Sequence, residues 1–279
     1  MHLRAAVIND LSGLGRCSLT ADIAVLAAMG IEACPLPTAV LPSHMEAYRR
    51  HWNALGITFA GILSGYLASP EAAYQTAEFV DTFHHPGVTY LCDPVLGDQG
   101  RVYKGFTDAS IEAMRSLAEK ADFLTPNLTE FCLLTGTEMD AIMNREKEDK
   151  DALFAILTQK AAAFSQTDLV ITGIPLKGEK SGKEICNLII SKGSSHPVIF
   201  PHLGGSYSGT GDLFAAVLLA ARLHKEGLVP SVNKAGQFIA KGITAAQKEH
   251  TPGNAGIDYE PFLPLLRSSK EDGHDSAHA

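Results

Sequence analysis

The sequence contains no run of about 18 or more apolar residues, which a helix needs to cross a bilayer, so we expect no membrane span. Its first residues lack the apolar segment and the cleavage site of a secretory signal, which favours a cytoplasmic protein. Basic residues are outnumbered, with 23 Lys and Arg against 31 Asp and Glu. The resulting net charge of −8 argues against nucleic acid or an anionic membrane as the main partner.

Cysteine is also sparse. The five cysteines are scattered without a Cys-x-x-Cys pair, and the 11 histidines show no paired-ligand spacing, so a zinc site is not expected. Single cysteines of this kind favour buried free thiols in a reducing compartment. Hydrophobic residues make up 46% of the 279 positions and charged residues 19%, which is enough apolar material for a large buried core.

Short apolar runs alternate with segments of helical periodicity along the chain. The predicted strands are 3–9, 31–36, 57–64, 87–92, 122–125, 169–172, 185–191 and 197–200. This alternation predicts an α/β fold with a central, mostly parallel sheet flanked by helices on both faces, and with antiparallel strands late in the chain. No Pro- and Ser-rich linker is present. We therefore expect a single domain over residues 1–267 and a disordered polar tail over 268–279.

The densest concentration of glycine lies in residues 204–211, directly before a very apolar predicted helix. Successive glycines allow backbone N–H groups to converge on one point, and the N-terminus of the helix adds positive potential there. Such a site stabilises the negative charge of a phosphoryl group in transfer. Asp212 lies in the first turn and can accept the proton of an attacking hydroxyl. Asp is also a favoured cap residue, but the glycine run favours the catalytic interpretation.

Acidic residues follow two further predicted strands. Asp93 and Asp98 lie in a Pro- and Gly-bearing turn, where they can face a phosphate through Mg²⁺ or form an Asx-type turn. Asn127 and Glu130 have the spacing of a capping box. Their alternative role is to face the same metal and phosphate site. Because folds of this kind bind ligands at the carboxyl ends of their strands, we expect these groups at that edge of the sheet.

Three other residues beyond predicted strands are candidates for ligand contact. Tyr66 can edge a ligand ring or be an ordinary half-buried tyrosine. Tyr103 lies just beyond the Asp98 turn and can cover a ligand. Thr172 can contact nucleotide phosphates or belong to a simple turn.

Two segments look like nucleotide-binding motifs but depart from them. Residues 9–18 approach the pattern G-x-G-x-x-G, but Ser18 stands where the third glycine belongs, so dinucleotide binding is a poor alternative. A strand-end Asp10 followed by this turn fits the binding of a small polar ring equally well. Residues 178–184 resemble a Walker A loop with the wrong spacing and with Glu184 in place of Ser or Thr, which favours a charged hairpin turn.

Taken in order, five segments resemble those of pyridoxal kinases, including bacterial pyridoxamine kinases, within the ribokinase-like superfamily. They are SGY at 64–66, CDPVLGD at 92–98, TPNLTE at 125–130, ITG at 171–173 and GTGDLFAA at 209–216. The last segment is highly specific to the superfamily, and SGY with CDPVLGD favours pyridoxal kinases over sugar kinases. The resemblance covers roughly residues 3–250. It implies ATP-dependent phosphorylation of the 5′-hydroxymethyl group of pyridoxal, pyridoxamine or pyridoxine in vitamin B6 salvage, by a cytosolic homodimer.

The resemblance also implies a role for each matching residue. Asp212 would be the catalytic base, and the amides of Gly209, Thr210 and Gly211 would form an anion hole. The remaining expected contacts are Asp93, Asn127, Glu130, Thr172 and Thr210 for ATP, Asp98, Glu130 and Thr125 for the metal ions Mg²⁺ and K⁺, and Asp10, Met45, Tyr66, Tyr103 and Asp212 for the vitamer.

Two positions depart from the family pattern. Asp10 stands where a typical pyridoxal kinase has a serine, and His44-Met45 stands where many relatives have a threonine next to a histidine. Asp10 can still pair with a protonated ring nitrogen, but the substrate side differs more than the ATP side. The alternatives are a hydroxymethylpyrimidine kinase of thiamine synthesis, a sugar or nucleoside kinase, and a non-catalytic ATP-binding protein on the same fold.

Overall fold

The computed structural model describes residues 3–11, 16–38, 43–139, 142, 150–165, 167–177 and 183–267. Three predicted features fall outside these residues. They are part of the glycine-bearing first turn (12–15), most of the charged hairpin turn (178–182) and the polar tail (268–279).

An eight-stranded sheet forms the centre of the molecule, in the order β10-β9-β8-β7-β4-β3-β1-β2. The strands, including a separate two-stranded hairpin of β5 and β6, are β1 (Arg4–Asn9), β2 (Glu32–Pro37), β3 (Gly61–Ser64), β4 (Thr89–Cys92), β5 (Gly97–Asp98), β6 (Arg101–Val102), β7 (Phe123–Leu124), β8 (Asp168–Lys177), β9 (Lys183–Ser191) and β10 (Ser194–Pro201). Neighbours from β2 to β8 pair in parallel, whereas β8, β9 and β10 pair antiparallel. The predicted mostly parallel sheet with late antiparallel strands is confirmed.

Helices cover both faces of this sheet. They are α1 (Ser18–Ala28), α2 (Ser43–Ala54), α3 (Pro70–Phe83), α4 (Asp108–Ala118), α5 (Leu128–Thr135), α6 (Lys150–Phe164), α7 (Thr210–Leu223) and α8 (Leu228–Lys248), followed by 3₁₀ segments at Gly253–Ala255 and Glu260–Leu266. Within the described ranges, no helix is both long and apolar enough to cross a membrane.

Strand β1 shows why helices are needed on both faces. Its residues alternate between two hydrophobic clusters, with Ala5 and Val7 in one and Ala6 and Ile8 in the other. All four are completely buried. Since successive side chains of a strand point to opposite faces, a fully apolar strand requires cover on both. Helix α7 supplies much of that cover on one face, because every residue from Leu213 to Ala221 is buried.

The two largest errors in the predicted strand boundaries concern β3 and β8. The strand predicted over 57–64 begins only at Gly61. The Ile57 N–H donates to the Trp52 carbonyl at the end of α2 instead of to a strand, and Phe59, which is 6% exposed, packs against Trp52. The strand predicted to end at Thr172 continues to Lys177. It extends beyond its parallel neighbour β7 because it also pairs with the long β9, with a register shift between Ile171 and Ile174. The β5–β6 hairpin and the two 3₁₀ segments were not predicted.

Candidate active site

The N-terminus of α7 has the backbone geometry that a converging set of amides requires. Its cap residue, Gly209, has a φ of 81°, and a Cβ there would lie 2.2 Å from the carbonyl oxygen of Arg16. Only glycine fits this position. The amides of Thr210 and Gly211 lie in the first turn, where N–H groups have no acceptor within the helix. They can therefore bind an anion.

Asp212 is held in the same turn by donors from two distant parts of the chain. The side-chain nitrogen of Asn9 donates to its Oδ1 at 3.1 Å, and the backbone N–H of Ser18 donates to its Oδ2 at 2.9 Å. Burial raises the pKa of the Asp212 carboxyl above its ordinary value, and the charge of Asp10 adds to the rise, although both hydrogen bonds oppose it. A carboxylate with a raised pKa is a stronger base, while the two donors keep it oriented.

Ser18 explains the missing third glycine of the first turn. Its φ is 55°, in the left-handed region that glycine adopts most readily, and it starts α1. This conformation points its N–H at Asp212. Ser18, in a backbone conformation usual for glycine, therefore donates a hydrogen bond to the candidate base. The comparison with G-x-G-x-x-G did not indicate this contact.

Asn9, at the end of β1, connects four elements and was not predicted as a site residue. Its Oδ1 accepts hydrogen bonds from the N–H groups of Asp10 and Tyr66, at 2.9 Å and 3.0 Å. Its Nδ2 donates to Asp22 at 3.0 Å as well as to Asp212. Asn9 is 1% exposed, so all four of its hydrogen-bonding positions are used in a buried environment. The sequence feature that could have identified Asn9 is its position as a polar residue at the end of an apolar strand.

The residue after Ser64 has to be glycine because of this asparagine. A Cβ on Gly65 would lie 2.5 Å from the Nδ2 of Asn9. The glycine of the SGY segment is therefore required by the close approach of Asn9.

We call Asn9, Ser18, Asp22 and Asp212 the base cluster.

A second group of polar side chains lies at the ends of β4 and β7; we call Asp93, Thr125, Asn127 and Glu130 the strand-end cluster. The Thr125 hydroxyl donates to Asp93 Oδ1 at 2.9 Å. Burial, together with the charge of Asp212, raises the pKa of Asp93 to about 7, although the Thr125 hydrogen bond opposes the shift. Asp93 thus lies close enough to Asp212 for the two charges to interact.

The predicted capping box at the start of α5 is confirmed. Asn127 Oδ1 accepts from the Glu130 N–H at 3.0 Å, and Glu130 Oε2 accepts from the Asn127 N–H at 2.8 Å. Both side chains also bind the β5 region, since Glu130 Oε1 accepts from the N–H of Leu96 and Asn127 Nδ2 donates to the carbonyl of Gly97. Burial first, and then the charge of Asp93, raise the pKa of Glu130 well above its ordinary value.

The hairpin of β5 and β6 brings two further predicted residues beside this cluster. Asp98 Oδ1 accepts from the N–H of the next residue, Gln99, at 2.8 Å. An Asx-type turn would use the N–H two residues on, so this bond does not show that alternative. Tyr103 is 43% exposed, and burial followed by the charges of Asp98 and Glu130 raises its pKa to about 12. Tyr103 therefore borders the acidic groups while its side chain remains accessible.

The other predicted residues are placed differently. The Tyr66 ring meets Phe106 edge to face, with centroids 5.6 Å apart. The Thr172 N–H donates to the carbonyl of Pro126 at 2.8 Å, which joins β8 to the start of α5. Met45 is 2% exposed and belongs to the same buried cluster as Leu36, so the structure does not present it to solvent.

Residues 15–255 match the phosphomethylpyrimidine kinase family. A crystal structure of a candidate phosphomethylpyrimidine kinase from Bacteroides thetaiotaomicron, obtained with pyridoxal, superposes with a TM-score of 0.85 at 31% identity, covering 95% of this chain and 96% of that one. A pyridoxal kinase from Dictyostelium discoideum is 26% identical over 78% of this chain and 72% of its own length. A pyridoxine/pyridoxal/pyridoxamine kinase from Bordetella avium is 28% identical over 74% of this chain and 67% of its own length.

Proposed function

The chain belongs to the phosphomethylpyrimidine kinase family, and we propose that it transfers the γ-phosphoryl group of ATP to the 5′-hydroxymethyl group of a B6 vitamer. Relatives named for this activity, and a similar structure obtained with pyridoxal, support the choice of substrate class. One observation carries the chemistry. A carboxylate, Asp212, lies in the first turn of a helix whose amides converge at a glycine cap, and two donors orient it.

In the proposed reaction, the 5′-hydroxyl oxygen of the vitamer attacks the γ-phosphorus. The bond from that phosphorus to the bridging oxygen breaks, and ADP leaves with the electron pair. Asp212 accepts the hydroxyl proton as the new P–O bond forms. The amides of Gly209, Thr210 and Gly211 stabilise the charge on the transferring group, because they are fixed in place before the reaction.

The chemistry of the strand-end cluster fits Mg²⁺. Its donors are hard oxygen atoms. Burial first, and then the charge of Asp93, raise the pKa of Glu130, and a cation would relieve the repulsion between the two carboxylates. Among the described residues, no three acidic, histidine or cysteine side chains are arranged to hold a metal ion by themselves. This agrees with an ion bound largely by phosphates and water. When bound, Mg²⁺ withdraws charge from the phosphates.

We assign the metal contacts accordingly. Asp93 and Asp98 would face the Mg²⁺–phosphate group. Glu130 would act through water, since backbone N–H groups already bind both of its carboxylate oxygens. K⁺ would lie near Thr125. Thr172 and Thr210 would contact nucleotide phosphates, and Asp10, Tyr66 and Tyr103 would border the vitamer. We also propose a homodimer in the cytoplasm, with residues 1–267 as one domain.

A second candidate is a hydroxymethylpyrimidine kinase of thiamine synthesis. The family whose pattern spans residues 15–255 is named for phosphomethylpyrimidine, which favours this alternative. Fold, base and anion hole would be unchanged, because both substrates present a primary alcohol on a six-membered heteroaromatic ring.

A coupled assay of ADP release with Mg²⁺ and K⁺ separates the candidates. It compares pyridoxal, pyridoxamine, pyridoxine and hydroxymethylpyrimidine, with a 5′-deoxy vitamer as the control that lacks the reacting hydroxyl. We expect turnover on at least one vitamer and none on the control. Turnover on the pyrimidine alone would move the chain to thiamine synthesis, and no turnover on any alcohol would overturn the kinase assignment.

A further inference from the structure

Asp22 is a buried carboxyl group with very little hydrogen bonding. It lies on α1, and none of its surface is exposed. Its Oδ2 accepts one hydrogen bond, from Asn9 Nδ2 at 3.0 Å. Its Oδ1 has no partner among the described residues. A buried carboxylate with one donor is costly, since it has lost its water without gaining equivalent contacts.

The same nitrogen atom binds the candidate base. Asn9 Nδ2 has two hydrogens, and it donates one to Asp22 and the other to Asp212. Asn9 cannot turn its amide around, because its Oδ1 already accepts from Asp10 and Tyr66. One buried amide group therefore joins two carboxyl groups from different helices.

The charges that act on Asp22 do not favour its ionisation. The acids acting on it are Asp212 on α7, Asp93 after β4 and Asp10 after β1. On the side of the C-terminal segment, the phenol of Tyr259 lies near enough to interact with it. Arg16, in the turn before α1, forms salt bridges with Asp258 and Glu260 instead. Two carboxyl groups that share a site cannot both ionise cheaply.

The two carboxyl groups are not equivalent. Asp212 is half-buried and has a second donor, the N–H of Ser18, whereas Asp22 is fully buried and has one donor. A negative charge is therefore better stabilised on Asp212 than on Asp22. In agreement, burial and the charge of Asp212 raise the pKa of Asp22 well above its ordinary value.

We propose that Asp22 is a positioning residue that carries the single proton of an Asp22–Asn9–Asp212 group and leaves Asp212 as its only anion. The neutral Asp22 accepts the second amide hydrogen of Asn9, so that the first stays directed at Asp212. This inference rests on the proposed role of Asp212 as the base. Its first test needs no substrate, so its failure can be told apart from failure of the proposed function.

The first measurement is the thermal midpoint Tm of the wild-type chain and of Asp22→Asn from pH 4 to pH 9. An Asp that is neutral in the fold but ionises in the unfolded chain contributes stability below its unfolded pKa of about 3.9, and that contribution is lost as pH rises towards its folded pKa. Asn cannot ionise. We therefore expect the variant to gain over the wild type by about 3 °C per pH unit until the folded pKa is reached.

The controls and the kinetic test decide the outcome. Asp108→Asn, an exposed aspartate at the start of α4, gives the baseline for the substitution itself. We expect Asp22→Ala to lower kcat by about tenfold, the range for loss of an orienting contact, and Asp22→Asn, which keeps an acceptor for Asn9, to recover most of that loss. A Tm difference that does not grow with pH, or an Asn variant as slow as the Ala variant, would overturn the proposal. The Tm series stands alone if Asp22→Ala does not fold.

Discussion

The base cluster and the strand-end cluster use carboxyl groups in opposite ways. In the base cluster, the donors to Asp212 come from β1 and α1, about 200 positions away in sequence, and Asp212 remains partly exposed. In the strand-end cluster, Glu130 accepts from the N–H three residues before it and from Leu96, and it is 4% exposed. The first arrangement leaves a carboxylate able to take a proton, and the second joins two segments of backbone.

This difference separates catalytic from structural use of the same residue type. A carboxylate whose oxygens both accept buried backbone N–H groups stabilises the fold, and its loss leaves unsatisfied donors. A carboxylate that is oriented but accessible is suited to proton transfer. Substitution of Asp212 should therefore chiefly lower the rate, whereas substitution of Glu130 should also lower the free energy of unfolding.

The largest effect is expected from Asp212→Asn. The substitution keeps the shape of the side chain but removes the proton acceptor, so kcat for the vitamer should fall by roughly 10²–10⁴-fold. ATP affinity, measured by isothermal titration, should change little, because the proposed ATP contacts lie elsewhere. Tm should fall, because the amide nitrogen of Asn would face one of the two donors from which the carboxylate accepts hydrogen bonds. Turnover near the wild-type rate would contradict the assignment of Asp212 as the base. Loss of ATP binding would show that the variant disturbs the anion hole as well.

The next largest effect is expected at Gly209, and Gly211 of the same anion hole should respond differently to the same substitution. At Gly209 an added Cβ would meet the Arg16 carbonyl at 2.2 Å, and the φ is 81°. Gly209→Ala should therefore destabilise the fold by about 1–3 kcal/mol. It should also lower kcat by about 10–100-fold as the turn moves. Urea unfolding and steady-state kinetics measure the two changes.

Gly211→Ala is the matched control for stability. A Cβ there would meet the Asp93 carboxylate at 3.6 Å, an ordinary contact, and helical Gly→Ala changes gain about 0.5–1 kcal/mol. The two variants should thus shift the free energy of unfolding in opposite directions. Equal losses in both would mean that close approach to Arg16 does not constrain the turn.

The two clusters also differ in how far the sequence predicts them. The capping box of Asn127 and Glu130 lies within four residues, so its spacing alone predicts the contacts that the structure shows. The GTGD segment is similarly local, and the resemblance to pyridoxal kinases drawn from it and the other segments is confirmed. Most of the parallel sheet was predicted for the same reason, since periodicity is a local property.

Asn9, Ser18 and Asp22 were missed because their role depends on contacts across the fold. Nothing near Asn9 in the sequence shows that its amide joins α1 to α7. The sequence also does not show that Ser18 has a φ of 55°. For Met45, the departure from the family pattern predicts a substrate contact. The sequence did not show that Met45 is only 2% exposed, because burial depends on how the core packs around it.

The smallest expected effect tests whether Asn127 in the strand-end cluster chiefly stabilises the fold. Asn127→Ala removes the cap of α5, whose Oδ1 accepts from the Glu130 N–H at 3.0 Å, and should cost about 1 kcal/mol in urea unfolding. Ser69→Ala removes an equivalent cap from α3, where the hydroxyl accepts from the Ala72 N–H, and provides the matched control. If Asn127 is chiefly structural, Asn127→Ala loses at least as much stability as Ser69→Ala, because it also removes the hydrogen bond to the Gly97 carbonyl, and both variants keep their kcat. A rise in the KM for ATP in Asn127→Ala alone, with stability retained, would instead make Asn127 a nucleotide contact.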